Sequence, residues 1–446
     1  MSHGISLRDW LDARRRACRL EVQAIRWCDS DSWRFRDGRL AHVTGGFFAV
    51  VGVCSMANIP GLDGLMRPII DQPEIGILGF VVRDGPAGSE WLVQAKAEPG
   101  NVAEVQLAPS VQATRSNFTR LHGGAPTPYL EFFTMPEQGG RRIADSLQSE
   151  QGNRFLGKYN RNMTVLADGN GPEPCCDDWR WTAAADVRAM LAIDFAVNTD
   201  ARSVLFCSDW DLLADGLPFA RWRGGTGWGA SLLESFAADP VQDDASVLDW
   251  LERQREAVVL EVRTIPLESM PDWELAPGAI VSRADGVPLV QAYAVRANSR
   301  EVDHWDQPFL MSRREESVVQ ICQRRAGVLR FLLRASAELG FRERVQIGPS
   351  WQSDDQAADP GVTRQVETAI GRGQERHSTL QSDEGGRFFR SICRYRIVEL
   401  SDEEAFEVAA NHYMWASLGQ IYRLARIKGI FSNEARSVLS MLLADL

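Results

Sequence analysis

The sequence lacks the features that mark membrane-spanning and secreted proteins. Its longest apolar stretch, around residues 47–56, is interrupted by Gly52 and followed by Pro60. It falls well short of the roughly 20 residues of a membrane helix. The start has no basic segment followed by an apolar one, so we expect no secretory signal and a cytoplasmic protein. The eight cysteines are scattered without the short paired spacing of a zinc site, and we interpret them as buried free thiols.

An excess of positive charge is lacking as well. The chain has 49 lysine and arginine residues against 60 aspartate and glutamate residues, a net charge of −11, which argues against general binding of nucleic acid or anionic membranes. A small anionic ligand is compatible with this balance where basic residues gather locally. Walker loops, dinucleotide-binding glycine fingerprints, the G-x-S-x-G elbow and the H-E-x-x-H motif do not occur, so those enzyme classes have no support.

What the 446 residues do contain is an internal duplication. The segment LVQAKAEPG at 92–100 returns as LLRASAELG at 332–340, and VQLAPSVQ at 105–112 returns as VQIGPSWQ at 345–352. Ten of the 21 positions from 92 to 112 are identical at this offset of 240, which is the signature of a repeat. LQSEQG at 147–152 then matches LQSDEG at 380–385 at an offset of 233, so the second copy has lost seven residues before 380.

Both copies have the same predicted order of elements, which is an α+β order. A predicted amphipathic helix over 7–25 opens the first copy, and it is followed by strands at 47–53, 77–82, 91–97 and 104–107 and by helices at 186–196 and 201–213. The acidic, turn-rich run 237–244 is the predicted linker. We therefore divide the chain into two units, residues 1–240 and 241–446.

The two copies differ most in a polar segment of the first. Residues 111–129 are dense in hydrogen-bonding side chains, with arginines and a histidine among them. A polar loop of this length inside a compact domain is typical of a functional site. The corresponding stretch 351–359 is acidic and shorter, and Ser336 stands in place of Lys96. We predict that the first copy binds an anionic ligand and that the second has lost or altered this capacity.

Several of these residues have a structural interpretation beside the functional one. Glu98 recurs as Glu338 and could equally fix the adjoining turn, and His122 precedes two glycines, as turn residues do. Residues present in both copies are at least as consistent with scaffold hydrogen bonding as with ligand contact; they are Gln106, Gln112, Gln148 and Arg154. For Arg202 and Arg436, on matching helices, we expect surface ion pairs. The better functional candidates are those that the second copy does not keep: Lys96, Thr114, Arg115, Asn117 and Tyr129.

The repeated segments resemble a known family. LVQAKAEPGN at 92–101, VQLAPSVQATRSN at 105–117 and HGG at 122–124 are similar to the NDP-hexose 2,3-dehydratases of deoxysugar biosynthesis, and the likeness continues at 128–132, 148–152, 160–163 and 380–388. The resemblance implies a tandem duplication of two Nudix-hydrolase-like domains, each a mixed β-sheet flanked by helices, with a working first pocket and a remnant second one. It also implies a homodimer. The glutamate-rich metal box of Nudix hydrolases is absent, so we expect neither a metal nor pyrophosphate hydrolysis.

The resemblance further implies a reaction. It is the removal of the C2 hydroxyl of dTDP-4-keto-6-deoxy-D-glucose to give dTDP-3,4-diketo-2,6-dideoxy-D-glucose. The C4 ketone acidifies the C3 hydrogen, so acid–base groups and donors to the enolate suffice, and we expect no cofactor. Because the product is reactive, a 3-ketoreductase is the expected functional partner, and we expect no nucleic acid or membrane partner.

On this resemblance the expected catalytic residues are Glu98, His122 and Tyr129 for proton transfer and Lys96 for diphosphate or enolate charge. The expected substrate-binding residues are Gln112, Thr114, Arg115, Ser116, Asn117, Gln148, Arg154, Asn160 and Asn162. Which residue is the base and which is the acid stays open. Two other functions also stay open, a non-catalytic nucleotide-sugar binding protein and a metal-dependent nucleotide-sugar hydrolase.

Overall fold

The computed structural model describes residues 5–114, 126–135, 139–238, 244–298, 302–353, 360–402, 406 and 411–446. None of the helices in these ranges is long and apolar enough to cross a membrane. The helices are α1 (Leu7–Ala17), α2 (Glu131–Thr134), α3 (Ala184–Met190), α4 (Thr199–Cys207), α5 (Trp210–Ala214), α6 (Trp228–Ala237), α7 (Asp244–Ala257), α8 (Pro360–Arg372), α9 (Leu418–Leu424) and α10 (Asn433–Ser440).

The strands occur in matching sets in the two copies. Those of the first copy are β1 (Leu20–Ala24), β2 (Trp33–Arg36), β3 (Arg39–His42), β4 (Ala49–Ala57), β5 (Met66–Asp71), β6 (Gly76–Gly85), β7 (Gly88–Ala97), β8 (Val105–Ala108), β9 (Val111–Ala113), β10 (Gly140–Ser149), β11 (Tyr159–Ala167) and β12 (Trp179–Ala183). Those of the second are β13 (Leu260–Ile265), β14 (Trp273–Leu275), β15 (Ala279–Ser282), β16 (Pro288–Ala297), β17 (His304–Met311), β18 (Glu316–Arg325), β19 (Val328–Ala337), β20 (Val345–Gly348), β21 (Trp351–Gln352), β22 (Gln374–Ser382), β23 (Phe388–Phe389), β24 (Ile392–Leu400) and β25 (Tyr413–Ala416).

Each copy contains a large mixed sheet with the same strand order. In the first copy the order is β10-β11-β6-β7-β12, with β8 beside β7 and β9 beside β6, and only β11 and β6 are parallel among these pairs. In the second it is β22-β24-β18-β19-β20, with β21 beside β18 and β25 beside β19, and β18 and β24 are again the parallel pair. The predicted α+β class and the repeated plan are thus confirmed.

The opening strand of each copy belongs to a smaller sheet of the other copy. β1 pairs with β16 so that Leu20 faces Ala297, and β13 pairs with β4 so that Leu260 faces Ala57. The predicted helix over 7–25 is therefore wrong beyond Ala17. Residues 20–24 alternate apolar and polar, as a half-buried strand does, and Leu20 and Val22 pack against the cluster around Val295.

The other predicted elements of the first copy are confirmed with shifted ends. The four predicted strands correspond to β4, β6, β7 and β8. The helix predicted over 186–196 corresponds to α3 but ends at Met190. The helix predicted over 201–213 is two helices, because Asp209 caps the new one by accepting a hydrogen bond from the backbone N–H of Asp211.

The closing helices α4 and α10 meet at the centre of the molecule, and their arginines are buried rather than on the surface. Arg202 and Arg436 are each about 1% exposed, so the prediction of surface ion pairs is wrong. Arg202 donates to the carbonyl of Val197 at 2.6 Å, and Arg436 donates to Ser203 Oγ at 2.8 Å. Each guanidinium therefore satisfies buried oxygen acceptors, which lowers the energy of burying its charge.

The cysteines are free thiols, but the prediction that all are buried is wrong. Cys207, Cys322 and Cys393 are buried, whereas Cys28, Cys175 and Cys176 are exposed. The exposed ones lie outside the strands.

The turns that follow β7 and β19 fasten the two copies together. The N–H of Gly100 donates to the carbonyl of Gly385, and that of Gly340 donates to the carbonyl of Gly152, both at 2.8 Å. A Cβ atom at Gly100 would lie 1.7 Å from the Phe388 carbonyl oxygen, so only glycine fits. This docking brings the end of β7, where Lys96 and Glu98 lie, against the segment that precedes β23.

Candidate active site

A small, partly enclosed cavity, here called the inner cavity, lies where the two copies dock. Its volume is about 110 Å³, and both copies supply its walls. The first copy contributes polar and charged side chains from β7, β9, β11 and α4 or from the residues directly beside them, namely Lys96, Glu98, Gln112, Lys158, Asn160 and Asp200. The second contributes Trp305, Gln307, Glu384, Gly386 and Arg387. So many ionisable groups around so small a space are typical of a site for a polar ligand.

A larger and more open space, here called the outer cleft, adjoins the inner cavity. Its volume is about 570 Å³, and it shares Thr114, Trp305, Gln307 and Arg387 with the inner cavity. Aromatic rings line it: the centroids of Trp33 and Phe48 are 4.6 Å apart. The two spaces thus form one elongated site with a charged inner end and an aromatic outer end.

Glu98 is held at the inner cavity by two side-chain amides. Gln112 Nε2 donates to its Oε1 at 2.8 Å, and Asn101 Nδ2 donates to its Oε2 at 3.2 Å. Glu338 of the second copy is held in nearly the same way, by Gln352 at 3.1 Å and by the backbone N–H of Asn153 at 3.1 Å. Both copies therefore hold this glutamate by two hydrogen bonds that its carboxyl oxygens accept.

Three further carboxyl groups at or beside the inner cavity have raised pKa values. Burial raises the pKa of Glu384 to about 7. Burial also raises the pKa of Glu150, and it raises that of Asp200 well above its ordinary value, with the nearby carboxylates adding to the effect. A carboxyl group whose pKa lies near neutrality, as that of Glu384 does, can both accept and donate a proton at physiological pH.

A basic side chain and an amide complete the inner wall. Lys158 Nζ donates to the carbonyl of Glu74 at 2.5 Å, and burial lowers the pKa of its ammonium group. Asn160 donates to Glu150 Oε1 at 2.6 Å and accepts the N–H of Gly76 at 3.0 Å. The cavity therefore offers cationic and neutral donors to an oxygen-rich ligand.

The equivalent place in the second copy is filled by an ion pair. Arg154, the counterpart of Arg387, binds Glu316 and Ser312, the latter at 3.0 Å. In the first copy Gly76 stands at the position of Glu316, and within the described residues Arg387 has no carboxylate within ion-pair distance. Its guanidinium instead donates to the Gly386 carbonyl at 2.7 Å and lies 4.4 Å from the Phe48 ring centroid.

Side-chain size and charge both differ between the two places. Glycine occupies positions 76 and 386 at the inner cavity, whereas Glu316 and Asn153 occupy the matching positions of the second copy. Conversely, Lys96 and Lys158 at the inner cavity correspond to Ser336 and Ser391. The first place is thus open and charged, and the second is closed by its own side chains.

The structure brings some of the sequence-predicted residues together and separates others. Lys96, Glu98, Gln112, Thr114 and Asn160 line the inner cavity. Arg115, Ser116, Asn117 and His122 lie outside the described residues.

Four predicted residues lie away from the inner cavity. Tyr129 is buried against Trp179, and its hydroxyl donates to the Glu173 carbonyl at 3.0 Å. Gln148 donates to the carbonyl of Ala425 at 3.3 Å, between the two copies. Asn162 is buried in β11. Arg154 belongs to the closed place described above. Tyr129 and Arg154 thus have packing or pairing contacts that account for their burial.

Sequence reasoning missed the residues of the second copy and two of the first. Glu384, Arg387, Trp305 and Gln307 come from the second copy, and Lys158 and Asp200 come from the first. A signal was present at two of these positions: Glu384 aligns with Gln151, and Lys158 aligns with Ser391. A systematic comparison of the copies for lost or gained charge would have found both.

Within the described residues, no group of three or more His, Cys, Asp and Glu side chains is arranged to hold a metal ion. The arrangement that is present can bind an anionic, hydroxyl-bearing molecule and move protons on it. The α+β fold and the paired acidic and basic groups thus define the class, an acid–base enzyme acting on a small polar substrate.

Comparison with known proteins gives the family. A family model described as NDP-hexose 2,3-dehydratase matches residues 5–208 and again residues 244–442. Curated relatives named dTDP-4-dehydro-6-deoxy-alpha-D-glucopyranose 2,3-dehydratase, from Saccharopolyspora spinosa and Streptomyces violaceoruber, are each 32% identical over 97% of this chain and cover 90% and 95% of their own lengths. A third from Amycolatopsis orientalis is 32% identical over 97% of this chain and 89% of its own length. The chain belongs to the NDP-hexose 2,3-dehydratase family and is an enzyme of the hydro-lyase type.

Proposed function

We propose that this chain is a dTDP-4-keto-6-deoxy-D-glucose 2,3-dehydratase. The observation that carries the proposal is the inner cavity, which combines buried carboxyl groups and basic side chains in a chain that matches the family along nearly its whole length. The reaction needs a base for the C3 hydrogen, donors for the C4 oxygen and an acid for the departing C2 hydroxyl. The cavity contains groups of each kind.

In this proposal the sugar occupies the inner cavity and the nucleotide occupies the outer cleft. Thr114 and Arg387 line both spaces, so they lie where the diphosphate would join the two parts. An arginine binds phosphate oxygens by forked, charge-assisted hydrogen bonds. The aromatic rings of the outer cleft suit a stacked base.

The chemistry follows from the charges of the inner cavity. Removal of the C3 proton places negative charge on the C4 oxygen, and cationic donors such as Lys96 and Lys158 stabilise that charge in a buried site. The C2–O bond then breaks, and the hydroxyl leaves as water after protonation. The resulting enol takes a proton at C2 and becomes the 3-ketone, so the net change is the loss of one water molecule.

We also propose that the two units are residues 1–240 and 241–446, each Nudix-like, with one working site. The double match of the family model supports the division. The ion pair of Arg154 with Glu316 supports a second place that no longer binds a nucleotide sugar. Assembly as a homodimer, coupling to a 3-ketoreductase and a cytoplasmic location stay predictions.

The test is to incubate the protein with dTDP-4-keto-6-deoxy-D-glucose, a 3-ketoreductase and NADPH, once with magnesium and once with a chelator. We expect a product lighter than the starting 4-keto sugar nucleotide by one oxygen atom in both samples, since dehydration removes water and reduction adds two hydrogens. Unchanged substrate that is nevertheless bound would favour a binding protein. Magnesium-dependent release of a sugar phosphate would favour a hydrolase.

A further inference from the structure

Two carboxyl groups, one from each copy, face the same part of the inner cavity. A Cβ atom placed on Gly386 would lie 3.3 Å from Glu384 Oε1 and 4.0 Å from Glu98 Oε1. Gly386 has no side chain, so this space stays open between the two groups. A substrate atom placed there would contact both.

The two groups differ in how they are held. Both oxygens of Glu98 accept hydrogen bonds from side-chain amides, and its counterpart Glu338 has equivalent partners in the closed place. Because both copies keep this arrangement, fixing the turn that follows β7 or β19 is sufficient to explain it. Glu98 is therefore a fixed hydrogen-bond acceptor that holds the turn.

Glu384 has none of these restraints. Within the part of the chain that the structure describes, its carboxyl group makes no hydrogen bond. Its counterpart is Gln151, which has no titratable proton and instead donates to Asp383 Oδ1 at 3.2 Å. An ionisable group thus occurs only in the copy whose cavity is open.

The surroundings of Glu384 poise it for proton transfer near neutral pH. Burial raises its pKa to about 7, Arg387 and Lys158 oppose the rise, and Glu150 and Glu98 add to it. Asp200 and Lys96 also face this space, and burial raises the pKa of Asp200 well above its ordinary value. A base with a pKa near the working pH is both sufficiently ionised and sufficiently basic.

We propose that Glu384, supplied by the second copy, is the catalytic residue that takes the C3 proton of the 4-keto sugar and then gives it to the departing C2 hydroxyl. This inference rests on the proposed function. In the D-gluco configuration the C3 hydrogen and the C2 oxygen lie on the same face of the ring, so one carboxyl group can reach both.

The electrons and protons balance over the elimination. The C3–H electron pair moves to the C4 oxygen as an enolate, and Glu384 becomes neutral. When the enolate collapses, the C2–O bond breaks, Glu384 protonates the leaving oxygen, and water departs. The carboxylate is then restored. The active centre is composite, since both copies supply binding residues and the second copy supplies the group that transfers the proton.

The experiment compares Glu384→Gln and Glu384→Asp with Asp383→Asn, a neighbouring buried carboxyl that faces Arg154 in the closed place. Turnover is followed by the coupled assay, and binding of the sugar nucleotide is followed by calorimetry. We expect Glu384→Gln to lower kcat about a hundredfold or more, with the dissociation constant changed less than about threefold. Asp383→Asn should keep kcat within about threefold, and Glu384→Asp should keep part of the activity.

The pH profile distinguishes proton transfer from a structural role. Because the carboxylate is the active form, kcat/KM of the unaltered protein should fall tenfold per unit as the pH drops below about 7. The residual activity of Glu384→Gln should lack this limb. Activity of Glu384→Gln above a tenth of the original, an unchanged limb, or a loss of binding equal to the loss of rate would each overturn the inference. Failure of the unaltered protein to dehydrate the sugar would instead reject the proposed function itself.

Discussion

Replacing Glu384 by glutamine should make the folded protein more stable at alkaline pH. Burial raises the pKa of this carboxyl from 4.5 to about 7, and each pKa unit corresponds to about 1.4 kcal/mol. Ionised Glu384 therefore lowers the free energy of unfolding by about 3 kcal/mol relative to neutral Glu384. Because the folded pKa lies above the unfolded one, this loss of stability begins near pH 4.5 and is complete above about pH 7.

Glutamine cannot ionise, so the variant and the unaltered protein should be about equally stable at pH 4 and differ by about 3 kcal/mol at pH 8. With roughly 2 cal/mol/K of unfolding entropy per residue, a cooperative transition of this chain would shift by about 3 °C. Calorimetric scans or urea unfolding at the two pH values measure the effect. The control is Glu375→Gln on β22, which removes a carboxyl group paired with Arg396 of β24. It should show no comparable gain in stability. A gain that is equal at both pH values, or a loss at pH 8, would refute the reasoning.

Three further predictions concern the walls of the site and the docking of the copies. Gly76→Glu should abolish binding of the sugar nucleotide in calorimetry. Its Cβ would lie 2.7 Å from Asn160 Oδ1, and its carboxylate would reach Arg387 as Glu316 reaches Arg154. Unchanged affinity would contradict the assignment of the inner cavity as the sugar site. Gly100→Ala should destabilise the chain by several kcal/mol in urea unfolding, because the new Cβ would lie 1.7 Å from the Phe388 carbonyl oxygen. The control is Gly371→Ala on α8, where a Cβ would have nothing within 4 Å. It should be neutral or stabilising by up to about 1 kcal/mol. Lys96→Ser, which installs the residue of the second copy, should weaken binding of the sugar nucleotide at least tenfold at low salt. A dissociation constant within threefold of the original would show that Lys96 does not contact the ligand.

The sequence allowed the duplication and the first-copy wall of the site to be predicted. Lys96 and Thr114 were singled out because the second copy lacks them, and both line the inner cavity. The same logic failed for Tyr129, because a residue kept by one copy alone can also serve that copy's packing. Tyr129 packs against Trp179 and fixes a turn through its hydroxyl.

The rest of the site could not be predicted because it depends on contacts between distant segments. Glu384 and Arg387 reach the inner cavity only through the docking of the turns at Gly100 and Gly340. Strand β1 was missed for a related reason: its partner β16 lies more than 260 residues further along the chain. Local periodicity predicts which face of a segment is buried, but it does not identify the segment that covers it.

The exchange of opening strands sets an order for folding during synthesis. β4 receives its neighbour β13 only when residues 260–265 have been made, and β1 waits for residues 288–297. Until then residues 52–57 of β4 have one unpaired edge on a chain that is still attached to the ribosome. Such edges are where incomplete chains associate with one another. We therefore expect that the first half does not mature ahead of the second. We also expect that a messenger truncated at the linker yields an aggregation-prone fragment rather than a small working enzyme.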